Sequence, residues 1–132
     1  MTQLETYTIL AALWLGVAWA PYIIDRAMVR GLIGALANYD PAALPQSAWA
    51  QRAMRAHKVA VEAFVAFAPL AIIAMIKIPE DSYPGVLAMG WFYAMVAHYI
   101  IYCLGIPVAR TLAFVVAAAC TLALALRLFG MI

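Results

Sequence analysis

Charge is what this sequence has least of. Only 11% of its 132 residues are Asp, Glu, Lys or Arg, whereas 69% are hydrophobic. A soluble domain of this size needs far more polar surface than that. The net charge of +2, from 8 Lys and Arg against 6 Asp and Glu, is too small for a nucleic-acid surface, and no basic run alternates with exposed aromatics. Cysteine is scarce as well. Cys103 and Cys120 stand singly without CxxC spacing, which assigns them no redox or metal role and leaves them as small apolar packing residues. The two histidines, His57 and His98, lie in different apolar blocks with no thiol or carboxylate at ligand spacing, so no metal site is expected. A glycine-rich phosphate cradle is also missing.

What is there instead is apolar sequence in four blocks, Leu4–Ile24, Trp49–Ile76, Pro84–Ile106 and Val108–Ile132. Each is close to the ~20 residues a helix needs to cross a bilayer. The expected fold is an all-α integral membrane protein, a single four-transmembrane-helix domain over residues 1–132 with helices near 4–36, 48–76, 84–106 and 108–131. A cleaved leader is the rival reading of the first block, through the small-residue site Ala18-Trp-Ala20. It fails because Glu5 is the only charge before the apolar run and Pro21 follows the site. The positive charges are unevenly placed: Arg26, Arg30, Arg52, Arg55, Lys58 and Arg110 fall at one side's helix ends, Lys77 and Arg127 at the other. The positive-inside rule then puts the first and third connections in the cytoplasm and both termini on the opposite side.

The second block carries the chain's densest charge, in Gln51–Pro69. At 100° per residue, Arg52, Arg55, Val59, Glu62, Ala66 and Pro69 share one stripe, with Gln51 and Lys58 at its margin and His57 opposite. Ionisable groups at or inside the edge of a membrane helix are costly enough to point to a function. Glu62, the deepest, needs cationic or hydrogen-bonding partners. Either the stripe is a self-contained ion-pair cluster that sets helix packing, or it is a clamp, with arginines for carboxylates and the glutamate for an ammonium group. Ser47 reads as the N-cap of this helix, and Pro69 predicts a kink near Phe67–Leu70.

Three further places carry chemistry. Arg26 and Arg30, four apart on one face, are either snorkelling anchors or donors to an anionic ligand. In the third helix, Trp91, Met95, His98 and Tyr102 form a stripe with Tyr99 beside it, which reads as packing or as the wall of a polar pocket. Arg110, the only charge in the first turns of the last helix, is an interfacial anchor or a cation that stabilises a nearby acid or thiolate.

Arg55-Ala-His-Lys-Val-Ala-Val-Glu62, followed by an apolar run with a proline, resembles the Arg-Ala-His-x-Asn-x-x-Glu signature of the MAPEG family, the membrane-associated proteins in eicosanoid and glutathione metabolism. His98-x-x-x-Tyr102 and Gly105-x-Pro-x-x-Arg110-Thr111 are similar to that family's later motifs, and the brevity and alanine content resemble its bacterial branch. The resemblance implies a homotrimer in the bacterial inner membrane, with glutathione bound between subunits near the cytoplasmic face. It further implies a glutathione transferase or peroxidase acting on lipophilic electrophiles or lipid hydroperoxides. The implied glutathione-binding set is Arg26, Arg30, Arg52, Arg55, Lys58, Glu62, His98 and Tyr102, and Arg110 would activate the thiol.

Two positions depart from the pattern: Val59 stands where the signature has asparagine, and Met95 where several members carry arginine. Both changes favour an alternative, a non-catalytic member that binds a lipid or a membrane-protein partner in the same cleft. A small multidrug transporter would need Glu62 as its proton-coupled carboxylate, and its sharing a stripe with two arginines counts against that reading.

Overall fold

The computed structural model describes all 132 residues as five helices and their connections: α1 (Gln3–Val17), α2 (Ala20–Leu36), α3 (Ala48–Lys77), α4 (Tyr83–Leu104) and α5 (Pro107–Leu128). Four helical stretches are long and apolar enough to cross a membrane, the first of them being α1 and α2 together, Gln3–Leu36. The chain is an all-helical integral membrane protein, as its composition required.

α1 starts on a capping box. The Thr2 hydroxyl accepts from the Glu5 N–H at 3.1 Å, and the Glu5 carboxylate accepts from the Thr2 N–H at 2.7 Å. The helix stops before Ala18 because Pro21 has no N–H to offer the Val17 carbonyl. Side chains take over the carbonyls left without backbone donors. The Leu15 carbonyl accepts from His57 Nε2 at 2.8 Å, Gly16 from the Trp19 indole at 2.7 Å, and Ala18 from the Tyr99 hydroxyl at 2.8 Å. With Nε2 donating, His57 Nδ1 is left to accept from the Tyr22 hydroxyl at 2.7 Å. α3 and α4 are thereby latched to the break in the first span.

α2 is regular only to Arg30. Gly31 has φ 74° and ψ 167°, a conformation glycine alone adopts freely, and it turns the last residues of α2 out of line. α3 then begins at Ser47, which occupies the N-cap position, but its hydroxyl makes no capping bond. The buried Asp25 carboxylate does the joining instead, accepting from the Ser47 N–H at 3.0 Å and from the Gln46 amide at 3.3 Å.

α3 has 30 residues, about 45 Å at 1.5 Å per residue against a hydrocarbon layer of about 30 Å. It runs through Pro69 as one helix. Helical geometry is interrupted before Pro21, between α1 and α2, and at Gly31. Ala53, Ala60, Phe67 and Ala74, seven apart, are fully buried together with Ala56 and Ala71, and this seam of small side chains lets neighbouring helices approach closely.

α4 lies at the centre of the bundle, between α1, α3 and α5. Its Trp91 is buried and stacks on Phe67 of α3, ring centroids 5.0 Å apart and planes 18° from parallel. α5 buries only Ala117 and Leu124 of its own residues. At the end of the bundle holding the N-terminus, Arg127 of α5 meets Asp81 of the second connection at 2.6 Å, the one ion pair in the chain. Six of the eight Lys and Arg residues lie at the opposite end.

Candidate functional site

α3 presents two faces. Ala53, Ala56 and Ala60 turn inward, so helical geometry turns Arg55, Lys58 and Glu62 outward, and all three are exposed on the chain's surface. None is within ion-pairing distance of an opposite charge. The self-contained ion-pair cluster is therefore not what this stripe forms. With Lys77 placed at one boundary of the hydrocarbon layer, Glu62 sits about 22 Å along the helix, roughly 8 Å inside the opposite boundary, while Arg52 and Arg55 stand beyond it. A carboxylate facing hydrocarbon at that depth is expensive.

Beside Glu62 the surface is concave. Val59, Glu62, Ala63 and Phe114 line a recess of ≈ 440 Å³ between α3 and α5. Ala63 and Phe114 continue into an apolar groove of ≈ 370 Å³ whose floor includes Ala66, Leu70, Ala118 and Leu122. A charged mouth opening onto an apolar channel suits a ligand that is polar at one end and meets a lipophilic molecule at the other.

A second cluster flanks Phe114. The Arg110 guanidinium lies over the Tyr102 ring, 4.3 Å from its centroid, in cation–π contact. Tyr102 in turn packs edge-on against His98 at 5.5 Å, and His98 lies 6.2 Å from Phe114. His98 is buried and its Nδ1 has no hydrogen-bond partner, an uncommon state for a buried polar atom. The last helices thus bring His98, Tyr102 and Arg110 together, and Phe114 joins that cluster to the Glu62 recess.

The other arginines are placed elsewhere. Arg52 shares a stripe with Arg55 in sequence, yet its guanidinium reaches across to α4, where Nε donates to the Cys103 carbonyl at 3.0 Å. It packs on Gly105, whose φ of 78° closes α4, so it neutralises the negative end of that helix. Arg26 Nε donates to Gln46 Oε1 at 3.1 Å and Arg30 Nε to the Leu44 carbonyl at 2.7 Å, both in the first connection. Neither approaches the Glu62 recess within the chain.

Met95 is fully buried in the apolar core and lines no recess, so of the two departures from the signature only Val59 touches the concave surface. Sequence reasoning did not single out Phe114 or Ala63, the residues that shape the recess. Ala63 is one position from Glu62, but Phe114 enters only through the packing of α5 on α3. Asp25, Gln46 and the latch function of His57 were also missed, since their partners are distant in sequence.

A model of the MAPEG family matches residues 4–130. No curated protein and no solved structure matches the chain.

Proposed function

The chain belongs to the MAPEG family, and on that premise we propose that it is a trimeric, glutathione-dependent transferase or peroxidase acting on lipophilic electrophiles or lipid hydroperoxides at the basic, cytoplasmic face of a bacterial inner membrane. The carrying observation is the unpartnered outer face of α3: Arg55, Lys58 and Glu62 are exposed and make no ion pair within the chain. Two cations and one carboxylate match a tripeptide with two carboxylates and one ammonium group. A neighbouring subunit packed over this face would exclude lipid from Glu62 and strengthen each of those contacts.

Glutathione, when bound, supplies the thiol nucleophile. Arg55 and Lys58 would hold the carboxylates, Glu62 would hold the ammonium group, and Arg110 would supply a positive charge that favours thiolate over thiol. Tyr102 would contact the tripeptide from α4. The α3–α5 groove that begins at Phe114 offers the lipophilic partner an apolar path from the bilayer. The fit has one gap: at Val59 the recess has an aliphatic wall where the family signature has an amide.

That gap supports the second reading, a non-catalytic member that takes a lipid or a membrane-protein partner in the same recess. Isothermal titration of the purified protein with glutathione, paired with turnover of an aryl halide and of a lipid hydroperoxide, decides between them. Heat and turnover, with Arg110→Gln moving the pH profile of turnover upward, support the enzyme. No heat and no thermal stabilisation at millimolar glutathione overturn it.

A further inference from the structure

Two concave surfaces meet at one large side chain. The charged recess beside Glu62 and the apolar groove between α3 and α5 have only Ala63 and Phe114 in common, and Ala63 projects no more than a methyl group. Whatever passes from groove to recess therefore passes the Phe114 ring.

That ring is backed from within the bundle. The buried His98 lies 6.2 Å from it between ring centroids and packs in turn against Tyr102 at 5.5 Å, so the interior side of the ring is occupied. Its other side is open, with Phe114 38% exposed. The waist is the space left between this ring and the Ala63 side of α3.

Beyond the waist the groove exists because its walls are small. Ala63 and Ala66 on α3 and Ala118 and Ala125 on α5 line it with methyl groups. From Phe114 to Ala125 the α5 wall extends about 16 Å at 1.5 Å per residue. Thr121 is the one lining residue with a polar side chain, and its hydroxyl donates to the Ala117 carbonyl at 3.1 Å. No unsatisfied polar group remains in the groove to recognise a ligand, so it selects by width and length.

The register of α5 ties this channel to the reactive end. Arg110, Phe114 and Ala118 follow at four-residue spacing, about 6 Å apart along one face of the helix. A molecule that reacts at the level of Arg110 has its next segment beside the Phe114 ring and the remainder among the alanines. A straight chain suits a narrow waist followed by a long channel. A branched or aromatic group attached next to the reacting atoms meets the ring.

We propose that Phe114 is the specificity-determining residue of this site, admitting unbranched acyl chains into the alanine groove and rejecting molecules that are bulky next to their reacting atoms. The inference rests on the glutathione-dependent reading above and narrows its substrates to straight-chain acyl hydroperoxides.

The full-length protein in detergent, at saturating glutathione, is given a straight-chain fatty acyl hydroperoxide or cumene hydroperoxide. Each is reduced to its alcohol and water while two glutathione thiols become one disulfide. The wild type should favour the straight chain in kcat/KM by about 10-fold or more. Phe114→Ala widens the waist and should raise kcat/KM for cumene hydroperoxide, lowering that preference about 10-fold. Ala118→Phe, at an exposed position one turn further along, should instead lower kcat/KM for the straight chain, with less effect on the shorter cumyl group. A substitution that only disturbs packing lowers both substrates in proportion and leaves their ratio where it was. Where Phe114→Ala does not fold, Phe114→Leu replaces it, with the same direction expected. A ratio unmoved in the folded variants overturns the proposal and leaves the glutathione reading standing, as does a wild type that prefers cumene hydroperoxide or that conjugates an aryl halide but reduces neither hydroperoxide. A wild type that turns over none of the three overturns the glutathione reading, and this inference with it.

Discussion

Replacing Val59 by asparagine tests the site at its weakest point. Val59 is half-buried, one turn before Glu62, and shares the ≈ 440 Å³ recess with Glu62, Ala63 and Phe114. An amide there opens into the recess and not into the alanine seam, so it buries no unsatisfied group, and Val and Asn differ little in helix propensity. One new hydrogen bond to a bound ligand contributes about 1 kcal/mol if the partner is neutral and about 1.5–3 kcal/mol if it is charged. Glutathione affinity should therefore rise roughly 5- to 150-fold in Val59→Asn at unchanged Tm, measured by isothermal titration in detergent. The matching change at the other departure behaves oppositely. Met95 is fully buried among apolar side chains, and Met95→Arg places an unpaired charge in the core, at a cost of several kcal/mol. It should unfold the protein and not improve binding. A well-folded Val59→Asn with unaltered affinity would refute the placement of residue 59 at the ligand, and a stable Met95→Arg with improved affinity would refute the placement of residue 95 in the core.

Three further expectations concern the scaffold. Phe67→Ala removes a fully buried ring stacked on Trp91 and should destabilise the bundle by about 3–5 kcal/mol, seen as a lower Tm in detergent. His57→Leu leaves the Leu15 carbonyl and the Tyr22 hydroxyl without their partners, at about 1–3 kcal/mol for each group left buried and unpaired; hydrogen exchange should quicken first around Leu15–Tyr22. Asp81 is held below the ordinary carboxylate range, chiefly by its hydrogen bond from Arg127 and then by the Tyr83 N–H. Its contribution to stability is thus complete above the ordinary carboxylate pKa and lost as pH falls through the lowered one. The Tm difference between wild type and Asp81→Asn should be constant near neutrality and vanish in strong acid, and a difference that grows on acidification would contradict this assignment.

The membrane-crossing helices were legible because hydropathy over ~20 residues needs no tertiary information. The outward charges on α3 were legible for a similar reason, since a 100° step per residue fixes where each Cα–Cβ bond points. Arg52 shows where that logic stops. Its Cβ lies on the predicted stripe, but a long side chain chooses its own partner, and the Cys103 carbonyl at the end of α4 offered one. Pro69, which was expected to bend its helix, lies inside α3 without ending it, although a proline there leaves the Val65 carbonyl without its usual donor. Pro21 does interrupt one, and its consequences were out of reach of local pattern. Two of the three groups that satisfy carbonyls at this break are His57 and Tyr99, 42 and 81 residues away from their acceptors. Periodicity can say that a histidine lies opposite a charged stripe; only packing says that it closes a break in another helix.

The distribution of satisfied polar groups separates scaffold from site. His57, Tyr99, Asp25, Gln46, Arg52 and Arg127 each find a partner within the chain, and each partner lies on another helix or connection, so these residues lock the bundle together. Arg55, Lys58 and Glu62 find none, although the arrangement of the alanine seam makes their exposure unavoidable. Two of the three buried side-chain nitrogens without partners, in Trp14 and Trp91, belong to indoles whose rings are engaged in aromatic packing, where the apolar body accounts for the burial. The third, His98 Nδ1, lies in the cluster that Tyr102 and Arg110 complete. A chain that supplies a side chain for each of three carbonyls at a helix break, yet leaves this face and this imidazole unpaired, places its unmet hydrogen-bonding capacity on either side of Phe114. At Glu62, placed inside the hydrocarbon layer where water cannot settle that deficit, the proposed function supplies the partner as a ligand or a neighbouring subunit.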